Sequence, residues 1–321
     1  DSSHDVLVTP ARAAMNDVFN PEDAEQRSAV AGGVGKLLGL LCATFLPRSA
    51  AFLGTSAIMA IGCLTQISLP AQPPAGEPAL PAPAVASPQG SAPAQADKEG
   101  NDSFLSALKL VPRGFWLMWL LQYSGWVGLM VFAFYFTSVS AELAGAVPGT
   151  EEFSAVIHSG AGLMTINALL FMAVGAKLPT FVKLLGGPMP AMAASSLMLA
   201  LTHLSFAHLS RGTALFMGVV MTPLPYQIIA NTPFAWLEDQ PGFSEATRGR
   251  FTGWFNSAMA TAQVTTAALS GPLIELTGGR IVNAFTAAGV LDALIFVIVT
   301  SKLLQDRSLV GASHRSYQVG S

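Results

Sequence analysis

The sequence predicts an all-α, multi-pass membrane protein, and three observations carry that prediction. The chain is 51% hydrophobic and only 11% charged, where a soluble domain is about 25% charged. It lacks the charge to cover a water-facing surface. Apolar stretches of bilayer length recur along it, and a hydrocarbon core needs about 20 predominantly apolar residues per helix. Lys and Arg in the connecting segments also fall mainly on one side when those stretches alternate across a membrane.

The first element, 6–18, is too short to cross alone and reads as the tail of a helix. Next come 28–47, whose only charge is Lys36, and 51–70, with no charge at all. Segment 71–112 is rich in Pro, Ala, Gly and Ser and nearly free of aromatic residues. Such a composition cannot bury enough apolar surface to fold, so it reads as a disordered cytoplasmic linker. Beyond it, apolar stretches recur at 115–140, 155–185, 188–208, 213–237, 251–276 and 281–304. The expected organisation is therefore the end of an N-terminal helix bundle (1–70), the linker (71–112), a six-helix bundle (113–304) and a cytoplasmic tail (305–321).

Placing the linker inside puts Lys98, Lys109, Arg113, Lys177, Lys183, Arg248, Arg250, Lys302, Arg307 and Arg315 on the cytoplasmic side. Arg48, Arg211 and Arg280 fall outside with Glu142, Glu151 and Glu152. Six helices after a cytoplasmic linker match the second half of the major facilitator fold, whose halves are parallel repeats. The chain would then begin within helix 4, with an incomplete N-terminal half. Its opening Asp1-Ser2-Ser3-His4, without Met or a leader pattern, reads as the start of a fragment or a processed chain.

Composition narrows the chemistry. A net charge of −3 gives no reason to expect a nucleic-acid partner. The two cysteines, Cys42 and Cys63, lie in apolar stretches, which argues against a disulfide framework or a metal site. The sequence shows no His/Glu metal cluster, no Ser-His-Asp set and no phosphate-binding glycine loop. The reading is thus no enzyme, no cofactor and no metal.

Three stretches carry specific signals. Arg12 and Asp17 lie five apart at the end of a helix, and Gly35 to Gly39 open the next one with small residues that permit close helix approach. Trp126, Phe136-Thr137-Ser138, Gly145 and Pro148-Gly149 form the second. Pro225-Tyr226, Gly249, Gly253, Asn256 and Gln263 form the third; Asn256 and Gln263, seven apart, share one helical face. Together these resemble the sucrose/proton symporter-like family of the major facilitator superfamily. That family comprises the plant sucrose transporters and the animal solute carriers that include prostein and the membrane-associated transporter protein of melanocytes. The R-A-x-x-x-D pattern falls on Arg12, Ala13 and Asp17, and G-x-L-L-G on Gly35 to Gly39. The helix 7 pattern falls on Trp126, Thr137 and Pro148-Gly149. The P-Y of helix 10 falls on Pro225-Tyr226, and G-x-x-x-G-x-x-N-x₆-Q on Gly249, Gly253, Asn256 and Gln263. Two charged positions of the family pattern differ: Ser138 stands where an Asp follows the Thr, and His158 stands near an expected Arg. In the loop 176–187 the expected Asp is also absent.

The resemblance implies a secondary transporter that moves a sugar by alternating access, with protons as a further partner beside the solute and the lipid bilayer. The plasma membrane and an endomembrane fit equally. Candidate solute-binding or gating residues are Arg12, Asp17, Lys36, Trp126, Tyr226, Asn256 and Gln263; candidate proton-linked residues are His158 and Asp292. Most have a plainer reading. Arg12 and Asp17 can be an interfacial pair, and Lys36 can reach the interface along its stem. Asn256 and Gln263 can hold helices together. His158 can be an ordinary interfacial side chain, and Asp292 either pairs with a neighbouring helix or is protonated. The alternative function is a transport-inactive membrane scaffold, favoured by Ser138, His158 and the absent first helices.

Overall fold

The computed structural model describes residues 111–306 apart from 241, 242 and 244, with the side chains of 245–248 and 250 also left aside. The helix group 1–70, nearly all of the linker and tail, and candidates Arg12, Asp17 and Lys36 lie outside the described residues. Within them the fold is all helix, without a strand. The helices are α1 (Phe115–Ala144), α2 (Glu151–Gly175), α3 (Leu178–Leu184), α4 (Pro188–His208), α5 (Arg211–Met221), α6 (Pro223–Glu238), α7 (Glu245–Leu276) and α8 (Val282–Gln305).

Five segments are long and apolar enough to cross a membrane: α1, α2, α4, the α5–α6 pair taken together, and α8. This is the build of an all-α, multi-pass membrane protein. The sequence reading expects six crossings here. The sixth, α7, has 32 residues, about 48 Å at 1.5 Å per residue, which is ample length. It is rich in Thr, Ser, Asn and Gln, however, and falls short of the apolarity of the other five.

Local chemistry sets the ends. α1 stops at Gly145, which takes a left-handed φ of 69°. There Ala146 N–H donates to the Ala141 carbonyl at 3.1 Å and Gly145 N–H to Glu142 at 2.9 Å. This paired arrangement closes a helix at a residue that needs no Cβ. α2 begins with Thr150, whose Oγ1 accepts from Phe153 N–H at 3.1 Å, and Glu151 and Glu152 sit in its first turn. Both carboxylates suit the positive end of a helix dipole.

α1 is the axis of the group. It packs against α7, α8, α2, α6 and α4, while α4 and α8 form the most extensive single pairing. Gly289 makes that pairing close, since a Cβ there would meet Leu204 Cγ at 2.9 Å and the Ala200 carbonyl at 3.1 Å. Two ion pairs mark opposite ends of α1 and α8. Arg113 lies 3.3 Å from Asp306, and Glu142 lies 3.7 Å from Arg280. By the alternation of helices, Arg113, Lys177, Lys183 and Lys302 share one end of the bundle. Glu142, Glu151, Glu152, Arg211 and Arg280 share the other. Large apolar side chains point outward, among them Phe134, Leu201, Phe216, Leu269 and Leu294. In a bilayer these meet acyl chains rather than water.

The fourth crossing is broken. Pro223 and Pro225 open α6, and Pro223 has no N–H to offer the carbonyl of Val219 four residues earlier. Asn167 of α2 repairs this: its Nδ2 donates to the Val219 carbonyl and to Thr222 Oγ1, both at 2.9 Å. Non-helical backbone at membrane depth requires such a substitute.

Candidate functional site

Burial singles out one place. Among the described residues, His203 and Asp292 are the ionisable side chains of the Asp, Glu, Lys, Arg and His types that are buried, each fully so. They come from α4 and α8, and His203 Nδ1 stands 3.3 Å from Asp292 Oδ2. On its other side, His203 Nε2 lies 3.1 Å from the hydroxyl of Tyr226, itself buried in α6. A Tyr–His–Asp chain therefore links three crossings. Asp292 lies ten positions into α8 from Val282, about 15 Å at helical rise, or roughly halfway through a ~30 Å hydrocarbon core.

The fourth wall is α1. A Cβ on Gly128 would meet His203 Cε1 at 2.5 Å, Asp292 Oδ2 at 3.2 Å and His203 Nδ1 at 3.3 Å. The missing side chain of Gly128 is the space that the pair occupies. One turn earlier, Ser124 lies within reach of the Asp292 carboxyl, while its Oγ donates to the Leu121 carbonyl at 3.3 Å. Ser196 of α4 donates to the backbone carbonyl of Asp292 at 2.9 Å, fixing α8 against α4 at this level. Around the chain the lining is aromatic. Phe285 lies edge-on to His203, Phe206 packs on Phe285, and Phe132 packs on Tyr226.

The contact between His203 and Asp292 is short but poorly angled. Neither Asp292 oxygen, nor His203 Nδ1, has an aligned hydrogen-bond partner. Two proton arrangements fit the atoms. With Tyr226 donating to Nε2, the imidazole carries its proton on Nδ1, facing the carboxylate. With Nε2 donating to Tyr226, Nδ1 is bare and the proton sits on the carboxyl. The two arrangements differ by one proton, so the pair can gain or lose one in a dry, ring-lined space.

A second polar group lies between α2 and α6. Gln227 Nε2 donates to the Phe171 carbonyl at 2.8 Å, and Asn231 Nδ2 donates to Gln227 Oε1 at 2.8 Å. A third runs along α1 and α7. Trp119 Nε1 donates to the Trp254 carbonyl at 3.0 Å, Tyr123 to Thr265 at 3.1 Å, and Tyr135 lies 2.8 Å from Ser270 Oγ.

The sequence candidates fall in different places. Tyr226 and Asp292 meet in the buried chain. Asn256 and Gln263 are half-buried on α7, and Trp126 is half-buried on α1 with its indole N–H enclosed and without an acceptor. His158 is exposed on α2, its Nδ1 2.8 Å from its own helix at the Ser154 carbonyl. Thr137 of the Phe136-Thr137-Ser138 stretch packs on Gly160 of α2, where a Cβ would meet Thr137 Cγ2 at 3.3 Å. The sequence reading passes over His203, Gly128, Asn167, Gln227 and Asn231. His203 carried the usable signal: an ionisable residue inside an apolar span is a functional candidate by default.

No protein-family model matches the chain, and no curated protein matches its sequence. The buried chain is thus read on its own chemistry.

Proposed function

We propose that the chain is part of a secondary transporter of the major facilitator type that moves a small polar solute, a sugar, across a membrane by alternating access. The single observation that supports it most is the fully buried His203–Asp292 pair with Tyr226. An ionisable pair at mid-membrane is costly, and in membrane proteins such pairs mark ion and substrate paths. A bundle needing only to anchor itself gains nothing from this cost, because apolar side chains would pack the same space. The resemblance of the Gly249, Gly253, Asn256 and Gln263 pattern to sucrose/proton symporters supplies the solute class. The broken fourth crossing also favours transport, since interrupted helices recur where carriers bind and move.

The test is uptake by the full-length protein in proteoliposomes, with labelled sucrose, maltose and glucose, with and without a pH gradient. Saturable uptake of one of them is expected. Absence of saturable uptake for all three removes the sugar reading. A transport-inactive scaffold is the second reading, favoured by Ser138 and by the exposed His158, where the family pattern carries charge.

A further inference from the structure

We propose that His203 and Asp292 together form a proton-binding site in which a single proton is held between α4 and α8, and that its exchange with water is the coupling step of this half of the protein. The proposal rests on the transporter reading and deepens it by naming the coupling ion and its site.

The geometry carries it. Among the described residues no third His, Cys, Asp or Glu joins the pair to complete a metal site, and Asp292 faces an imidazole nitrogen at 3.3 Å. A purely structural pair would be satisfied by aligned hydrogen bonds, yet both carboxylate oxygens and Nδ1 lack them. The pair is poised for a small relative movement of α4 and α8 to align or separate it. With one proton bound, the pair is neutral overall, either as carboxylic acid and imidazole or as carboxylate and imidazolium. With none, it holds an uncompensated carboxylate charge in a ring-lined interior, which favours opening to water.

The surroundings leave the titration to this pair. From α1 the facing residues are Gly128 and Ser124, neither charged. The tyrosines of α1 at 123 and 135 are engaged with α7. From α6 the facing group is the phenol of Tyr226. Within 251–274, α7 carries no titratable residue. On α8 itself the other titratable group is Lys302, ten positions away in the last turn of the helix, and on α4 it is the exposed His208. The proton step forms and breaks only O–H or N–H bonds: water on one side gives the proton to the pair, and water on the other side takes it.

Two readouts on the full-length protein test this separately from transport. The first is an infrared titration of the protonated carboxyl C=O stretch, compared among wild type, Asp292→Asn and His203→Gln. A band that titrates in wild type, is missing in Asp292→Asn and moves its midpoint by about one pH unit or more in His203→Gln is expected. A titrating band with the same midpoint in His203→Gln, or no titrating band that depends on Asp292, overturns the proposal. His203→Gln keeps the carboxyl, so it still reads the site if Asp292→Asn does not fold. The second readout is uptake. Asp292→Asn is expected to lose accumulation driven by a pH gradient; accumulation equal to wild type overturns the proton site while leaving transport intact. Wild-type protein that moves no solute under any condition removes the transporter reading, and the infrared titration still decides whether the pair binds a proton.

Discussion

The side-chain amide of Asn167 donates to the carbonyl of Val219 at 2.9 Å, across the interface between α2 and the broken fourth crossing. That carbonyl is the one Pro223 leaves unpaired. The same amide reaches Thr222 Oγ1, whose hydroxyl donates to the Gly218 carbonyl at 2.7 Å. One side chain thus holds the break in place.

Asn167→Ala is expected to destabilise the bundle by about 1–2 kcal/mol, the range for a buried acceptor left without its donor in a membrane reference state that recovers part of the loss. Thr222→Val, which keeps the shape but removes the hydroxyl, is expected to cost less, because the Val219 carbonyl keeps its Asn167 donor. Midpoints of unfolding by denaturing detergent, measured on both variants, check the order. Equal loss in both would mean the amide does not serve Pro223.

Gly128→Ala sets a steric prediction. The new methyl would meet His203 Cε1 at 2.5 Å, and His203 cannot retreat freely because Tyr226 and Phe285 stand on its other sides. Overpacking of this kind costs roughly 1–3 kcal/mol. The control is Gly162→Ala on α2, where a Cβ meets nothing within 4 Å. There the change is expected to be neutral or to stabilise by up to about 1 kcal/mol, the ordinary Gly-to-Ala gain in a helix. Thermal unfolding of the two variants in one detergent separates them.

These two sites show what the sequence could and could not give. Helix positions follow from apolar runs, and α4 at Pro188–His208 falls where the run itself ends. Crossing four was legible as apolar but not as broken, because Pro223 and Pro225 look like a tolerable kink until Asn167 is seen across the gap. Asp292 stood out as a lone carboxylate, but its partner did not. His203 is visible in the sequence as an ionisable residue inside its run, but that it faces Asp292 follows only from the packing of α1, α6 and α8 around it. Asn256 and Gln263 stand out by spacing and lie half-buried on α7, whereas the buried Gln227 and Asn231 are hidden in a proline-rich segment. Pairwise contacts between distant segments are not encoded in the local periods that mark helices.

Glu142 joins the C-terminal end of α1 to the N-terminal end of α8. Its Oε2 accepts from the N–H groups of Ile281 and Val282, at the positive end of α8. Glu142→Ala is expected to cost about 1 kcal/mol, the usual worth of a helix cap, and to fray the first turn of α8 in amide hydrogen exchange. Arg280→Ala is expected to change stability by no more than a few tenths of a kcal/mol, because a largely exposed pair at 3.7 Å is worth little. Exchange protection at Val282 that is lost in Glu142→Ala and kept in Arg280→Ala would assign the effect to the cap rather than to the ion pair.

The seam between α1 and α7 tests whether the least apolar helix is held by hydrogen bonds. Tyr135 and Ser270 hydroxyls lie 2.8 Å apart, and Tyr123 donates to Thr265. α7 is the least apolar of the long helices along its length, so polar contacts are expected to carry more of its attachment. Tyr135→Phe and Ser270→Ala are each expected to lower stability, and a double-mutant cycle between them should return a coupling of about 0.6 kcal/mol, the average for such pairs in a membrane protein. The same cycle between Tyr135→Phe and Thr286→Val, whose hydroxyl bonds only its own helix at Val282, should return none. Coupling in the second cycle as large as in the first would show that Tyr135 acts by packing across the whole bundle. Coupling confined to Ser270 would show α7 fastened to α1 by hydrogen bonds.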